Sequence, residues 1–178
     1  MKTLLHICCG PCACYSVEAL RADGHEVTGY WYNPNIHPVT ENRKRLEAAE
    51  QLAQIDDFSM IIDNEYPLEQ WLANVADNPQ NRCGYCYRVR LTACATVAKR
   101  EGFDAFTTTL LYSRYQKHDL IRQTAEQIAQ EVGVPFLYKD LRVGWSRGIT
   151  LSKKKGLYRQ QYCGCIYSEK DRYWRENG

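Results

Sequence analysis

The chain reads as an α/β protein built on a doubly wound, mostly parallel five-stranded sheet. Short apolar or β-branched runs alternate with stretches of helical period along most of its length. The links between them are short, which favours a parallel sheet covered on both faces. With 178 residues, 44% of them hydrophobic, the chain has enough material for one domain with a proper core.

The elements follow in order. Residues 3 to 8 form a first strand, with Leu4, Leu5 and Ile7 broken only by His6. Gly10 and Pro11 stop it, and a helix follows from about Ala13 to Ala22. His25 to Tyr32 is rich in β-branched and aromatic residues and reads as a second strand, ended by Asn33-Pro34-Asn35. A helix from Thr40 to Ala53 carries Thr40 as N-cap, with Arg43 at the capping-box position where Glu would be better. Phe58 to Ile62 is a third strand. Leu68 to Ala76 is a short helix with Leu68, Trp71, Leu72 and Val75 on one face. The loop from Asp77 to Asn81 delivers Arg82-Cys83-Gly84-Tyr85-Cys86 into a helix that runs to Arg100 and ends at Gly102. Ala105 to Leu111 is a fourth strand. A strongly periodic helix over 117 to 132 is closed by Gly133, and Val134 to Tyr138 is the fifth strand. From residue 139 the pattern changes to a basic, polar, turn-rich extension (139–178) with a last helix from Ser168 to Arg175. It is read as lying over the carboxyl edge of the sheet core (1–138), within a single domain.

Composition narrows the class. No run of eighteen apolar residues exists, so no membrane span is expected. The amino terminus lacks the order of a signal peptide, and a cytoplasmic protein is expected. In a reducing compartment, nine cysteines point to metal binding or redox chemistry, and the odd number argues against a fully paired disulfide framework. Net charge is only +2, but it is unevenly spread. Glu41 to Asp77 holds nine acidic residues against Arg43, Lys44 and Arg45, whereas Lys139 to Arg159 holds seven basic residues against Asp140. The C-terminal third can therefore present a positive face.

The thiols carry the chemistry. Cys8, Cys9, Cys12 and Cys14 fall where a first strand meets a first helix, which is where open α/β sheets bind ligands and where a helix terminus favours thiolate. Cys83-x-x-Cys86 sits at a loop-to-helix junction and offers two more ligands. Four thiolates from the two groups suit zinc or an iron–sulfur cluster, and the spacing does not choose between them. Cys163-Gly164-Cys165 can form a small strained disulfide suited to redox cycling, or can be two unrelated thiols or further metal ligands. Cys94 and Cys14 read as core. Cys12 lies near enough to Cys8 and Cys9 to touch a second metal.

In the extension, Arg142, Trp145, Arg147, Lys153, Lys154, Lys155, Tyr158, Arg159 and Tyr162 interleave cations with rings. The cations can bind phosphate and the rings can stack on unpaired bases; the plainer alternative is a solvated basic face. His6 reads as a hydrogen-bonded core residue. His37, His118 and Asp119 could supply a proton. Asp140, just after the fifth strand, is the first choice for a general acid or a metal-side carboxylate, against an ion pair with a nearby arginine.

Four blocks in this order resemble the cobalamin-independent epoxyqueuosine reductases. They are His6-Ile7-Cys8-Cys9-Gly10-Pro11-Cys12, Arg82-Cys83-Gly84-Tyr85-Cys86, Tyr138-Lys139-Asp140-Leu141-Arg142 with Gly144-Trp145, and the stretch Leu157 to Ser168 that contains Cys163-Gly164-Cys165. The resemblance spans nearly the whole chain. It implies an adenine-nucleotide α-hydrolase-like fold, and reduction of the epoxide of epoxyqueuosine to an alkene at wobble position 34 of tRNA, the last step of queuosine synthesis. It further implies a 4Fe–4S cluster on Cys8, Cys9, Cys83 and Cys86, and a redox-active pair at Cys163 and Cys165. An additional iron can accompany the cluster; some relatives carry aspartate at the position of Cys12, and the residue there is a candidate ligand of that iron. The implied partners are the tRNAs with GUN anticodons, for Tyr, His, Asn and Asp, and an external electron donor. The Cys-Cys-Gly-Pro-Cys loop stands where nucleotide-binding relatives of the fold hold ATP phosphates, so no ATP site is expected. Two rival readings are a zinc-binding RNA module without enzymatic activity and an ATP-dependent tRNA thiolation enzyme of related fold. A thioredoxin-like reductase fits poorly, because Cys83-x-x-Cys86 follows a long loop instead of a first strand.

Overall fold

A computed structural model describes residues 1–174. Its strands are β1 (Lys2–His6), β2 (Glu26–Trp31), β3 (Met60–Ile62) and β4 (Ala105–Thr108). They form one sheet in the order β3-β2-β1-β4, and every pairing is parallel. The helices are α1 (Gly10–Ala22), α2 (Val39–Ile55), α3 (Leu68–Val75), α4 (Arg82–Arg100), α5 (His118–Val132), α6 (Trp145–Lys154) and α7 (Ile166–Tyr173).

The expected fifth strand is reduced to one parallel bridge between Phe106 and Phe136. Phe106 N–H donates to Pro135 O at 3.0 Å, and Leu137 N–H donates to Phe106 O at 2.8 Å. Pro135 has no N–H to give, so the segment lies beside β4 as an edge without becoming a regular strand. The last helix ends at Tyr173, and Arg175, its expected end, lies outside the described residues. No helix is long and apolar enough to cross a membrane among the described residues.

Successive strand residues point to opposite faces, so β1 feeds two cores. Leu4 packs with Phe106, Tyr30, Leu91, Ala95, Ile121 and Ile128 beneath α4 and α5. Leu5 and Ile7 pack with Val17, Leu20, Val27, Leu46 and Leu52 beneath α1 and α2. Gly10 is needed where these two helices meet, because a Cβ there would lie 2.5 Å from Ala48 O.

The basic extension is more regular than its composition suggests. Its centre is α6, which packs on α1. Thr150, Ile149 and Gly148 are weak helix formers. Two glycines allow the close approach instead. A Cβ at Gly144 would meet the Tyr15 ring at 2.1 Å, and one at Gly148 would meet the Tyr112 hydroxyl at 2.3 Å. Tertiary packing therefore makes this helix against its local preference.

Candidate active site at the carboxyl edge of the sheet

β1 lies between β2 and β4, so the strand order reverses beside it and its carboxyl end opens on a topological switch point. Cys8 and Cys9 follow β1, and Thr109 follows β4. The two sides are tied: Cys8 N–H donates to Thr109 Oγ1 at 3.1 Å, and the Thr109 hydroxyl contacts Cys8 Sγ at 3.3 Å. Cys9 is the N-cap residue of α1 in an extended conformation, and Cys12 lies in the first turn.

The sulfurs of Cys8, Cys9 and Cys12 all lie within 4.8 Å of one another, with Cys8 and Cys9 at 3.9 Å. Hydrogen bonds from Cys12 and then Cys9 hold the Cys8 thiol well below its ordinary range, with help from Arg90 and Thr109. Burial pushes Cys9 up. Cys12 is raised chiefly because its proton serves Cys8 and Cys9. Within the trio, Cys8 is therefore the sulfur most readily ionised. Gln160 Nε2 donates to Cys9 Sγ at 3.0 Å and reaches Cys12 Sγ at 3.6 Å, while its Oε1 is buried without a partner.

Cys83 and Cys86 stand on the first turn of α4, outside this 4.8 Å group. Cys83 packs against the same apolar cluster as Cys8, Cys9 and Cys12. Burial pushes the Cys86 thiol up to about 12, against the pull of Arg90. Arg90 is the link between the groups. It is buried, and its Nη1 donates to Cys86 Sγ at 3.3 Å. Burial works against its charge, but the sulfurs of Cys86, Cys8 and Cys163 outweigh that and raise its pKa.

A cavity of about 640 Å³ opens over this edge, lined by Cys8, Cys12, Arg90, Tyr112, Trp145 and Cys163 among others. Gln116 Nε2 donates to Cys163 Sγ at 3.2 Å. Cys163 is exposed to solvent at the cavity, and the protein groups crowded around its sulfur still raise its thiol. Cys165 faces away, packed with Trp71 and Val75, and its sulfur accepts from Ser168 N–H at 3.4 Å. All nine cysteines are free thiols.

A buried clamp places the loop between Cys163 and Cys165. Arg45 donates to Cys163 O at 2.8 Å and Tyr162 O at 2.9 Å, and pairs with Glu41 at 2.7 Å. Tyr158 donates to Glu41 Oε2 at 2.6 Å. His37 N–H donates to Gly164 O at 2.8 Å, and His37 Nδ1 accepts from Ile166 N–H at 3.2 Å. Gly164 has φ +147, and a Cβ there would press on Ile36 and Arg45, so only glycine suits the turn.

The remaining expected site residues divide by their partners. Trp145 lines the cavity, stacked on Tyr112 with centroids 5.2 Å apart and edge-on to Tyr115 at 5.5 Å. Tyr115 is 85% exposed, and Arg114 lies over the Trp145 ring. Arg159 also lines the cavity. Lys153 and Lys154 are exposed at the end of α6. Arg147 is paired with Glu18, and Lys155 with Asp56. Asp140 does not line the cavity. Its carboxylate accepts from Arg142 N–H, Nε and Nη2 at 3.0, 2.9 and 2.6 Å, which lowers its carboxyl to about 2. It is therefore ionised at neutral pH and holds no proton to give. His6 is buried with Nδ1 on Thr108 Oγ1 at 2.9 Å and Nε2 on Tyr32 O at 3.3 Å, and burial lowers it to about 3. His118 contacts Tyr138 Oη at 3.1 Å.

Arg90, Arg45, Glu41, Gln116, Gln160, Tyr112 and Tyr115 were not singled out from the sequence. Two of them had a local signal. Arg90 lies four residues after Cys86, and Arg45 four after Glu41, the spacing that puts side chains on one helix face. The others reach the site only through tertiary contacts.

The chain is similar to known proteins over nearly its whole length. The family described as Epoxyqueuosine reductase QueH matches residues 3–171. A protein named Epoxyqueuosine reductase QueH from Dehalococcoides mccartyi is 42% identical over 176 residues, covering 99% of this chain and 97% of its own length. One of the same name from Thermotoga maritima is 34% identical, covering 93% of this chain and 88% of its own. Among solved structures, a predicted subunit of tRNA methyltransferase from Methanocaldococcus jannaschii superposes with a TM-score of 0.54 at 14% identity, covering 88% of this chain and 89% of that one. At that identity the likeness is one of fold.

Proposed function

The chain belongs to the epoxyqueuosine reductase QueH family, and from that premise we propose that its cavity receives the epoxyqueuosine nucleoside of tRNA and reduces the epoxide to an alkene. The protein is an oxidoreductase of queuosine biosynthesis, and tRNA is its macromolecular partner. Action on tRNA supports reading it as a cytoplasmic enzyme. The reaction consumes two electrons and two protons and releases the epoxide oxygen as water. An external donor supplies the electrons.

In this reading Cys8, Cys9, Cys83 and Cys86 hold a 4Fe–4S cluster, and Cys12 is a candidate ligand of an additional iron. Such a cluster delivers electrons singly at a potential set by its surroundings. The observation that carries the reading is Arg90. A guanidinium buried to 2% with no carboxylate partner among the described residues needs an anion, and the groups arranged around it are sulfurs of Cys86, Cys8 and Cys163. Four thiolates around an inorganic core meet that need; neutral thiols do not.

The chain's own residues supply the rest. Trp145, Tyr112 and Tyr115 form an aromatic wall where a base drawn out of its stack can lie. Arg159 at the cavity and the exposed Lys153 and Lys154 at the end of α6 suit the phosphates of an anticodon loop with a GUN sequence. Cys163 faces the same cavity, and its raised thiol is the proposed proton source. Cys165 packs away from the cavity against Trp71 and Val75, so closing the pair to a disulfide, which would release two electrons and two protons, requires Cys165 to turn toward Cys163. Asp140, fixed by Arg142, positions the segment ahead of α6.

The test is turnover under anaerobic conditions. Epoxyqueuosine-containing tRNA, protein and a low-potential reductant should yield a nucleoside lighter by one oxygen atom in mass spectrometry. Unchanged tRNA from protein that carries its metal would overturn the reading. A second reading, one mononuclear ion on Cys8, Cys9 and Cys12, is favoured by sulfurs packed within 4.8 Å. It predicts colourless protein with one zinc and no inorganic sulfide.

A further inference from the structure

We infer that Arg90 is the built-in countercharge of the sulfur centre, a positioning residue that holds Cys86 and sets the reduction potential of the cluster. This rests on the cluster reading above. Three observations place it in that role. Cys83, Cys86 and Arg90 recur at i, i+3 and i+7 along α4, which puts them on one face of the helix. The guanidinium reaches back one turn to donate to Cys86 Sγ at 3.3 Å, and it lines the cavity beside Cys8 and Cys163. Its Nε is buried with no hydrogen-bond partner, and no carboxylate among the described residues neutralises it. An arginine recruited for stability alone would be paired; the buried arginine of α2, Arg45, has Glu41 at 2.7 Å. Arg90 instead spends its donor on a sulfur.

The physical consequence is directional. Net charge and hydrogen bonds to sulfur both set the potential of an iron–sulfur centre, and a fixed cation with an N–H on a ligand sulfur favours the reduced, more negative state. Arg90 and Cys163 line the same cavity, so one guanidinium can favour added negative charge on the centre and on the cavity thiol alike.

The experiment is a reductive titration of anaerobically purified protein, followed by electron paramagnetic resonance, on wild type, Arg90→Gln and Arg90→Lys. At a fixed solution potential, R90Q should show the reduced-to-oxidised ratio of the cluster at least tenfold below wild type, equivalent to about 59 mV for one electron. R90K keeps the charge but loses the planar fork, and should shift the same way by less. A wild-type potential in whichever variant carries the cluster overturns the inference while leaving the cluster reading intact. Failure of both variants to load, with melting temperatures unchanged, or failure of both to fold, makes Arg90 an assembly or structural residue and also overturns it. If the wild type itself carries no cluster, the cluster reading falls and takes the inference with it.

Discussion

Asp140 and Arg142 sit two residues apart, and their pairing shows how a carboxylate at the active edge can be taken out of proton transfer. Three hydrogen bonds from one arginine stabilise the ionised form. The folded value near 2 lies below the ordinary 3.8, so the unfolded chain binds more protons between those values. The pair's contribution is therefore complete above about pH 4 and fades as pH falls through about 2. Asp140→Asn keeps an oxygen for the Arg142 N–H but loses the charge. Its melting temperature should lie below wild type at pH 7, and the gap should narrow between about pH 4 and 2. A gap that stays constant over that range would contradict the assignment of charge to this pair. Because the side chains are more than a third exposed, the gap should be modest and should shrink with added salt.

At the scale of elements, α6 decides whether the basic extension is a binding surface or only a cover. Its cations are not equivalent. Arg147 is tied to Glu18 and Lys155 to Asp56, whereas Lys153 and Lys154 are exposed. The double variant Lys153→Ala/Lys154→Ala should weaken binding of an anticodon stem-loop and make its salt slope shallower by about 1 to 2, measured by fluorescence titration from about 50 to 200 mM salt. Lys155→Ala should leave the slope near wild type and lower the melting temperature instead. Equal slopes in the double variant and the wild type would remove α6 from the RNA interface. This helix also marks where sequence reading stops. β1, β2 and β4 announce themselves through β-branched and apolar runs, and α5 through its period and Gly133 at φ +74. α6 has Gly148, Ile149 and Thr150 at its centre, weak helix formers whose cost is offset by packing on α1 and against Tyr15 and Tyr112. The apolar run Val134–Tyr138 has the pattern of a fifth strand, but Pro135 leaves it short of donors and it forms only one bridge to β4.

At the scale of the whole molecule, one rule of parallel sheets gathers distant residues. β1, β2 and β4 all end on one edge, so Cys8 after β1, Asn33 to His37 after β2 and Thr109 after β4 converge although far apart in sequence. The cysteines were legible because each motif is local and sits at a turn. The roles of Arg45 and Gln160 come from contacts across the fold, Arg45 with the loop 118 residues away and Gln160 with Cys9 151 residues away, whereas Arg90 carries only an i, i+4 spacing to Cys86 that many helical side chains share. Buried Arg90, with its donor on the Cys86 sulfur, makes an anionic sulfur centre the feature on which the proposed function depends. The direct measurement is iron and inorganic sulfide content of protein kept free of oxygen, for wild type and Cys8→Ala. About four irons and four sulfides per wild-type chain are expected, or one further iron where Cys12 takes part, with loss of most of them in the variant. One zinc with no sulfide in the wild type, on protein that still turns over epoxyqueuosine tRNA, would contradict it.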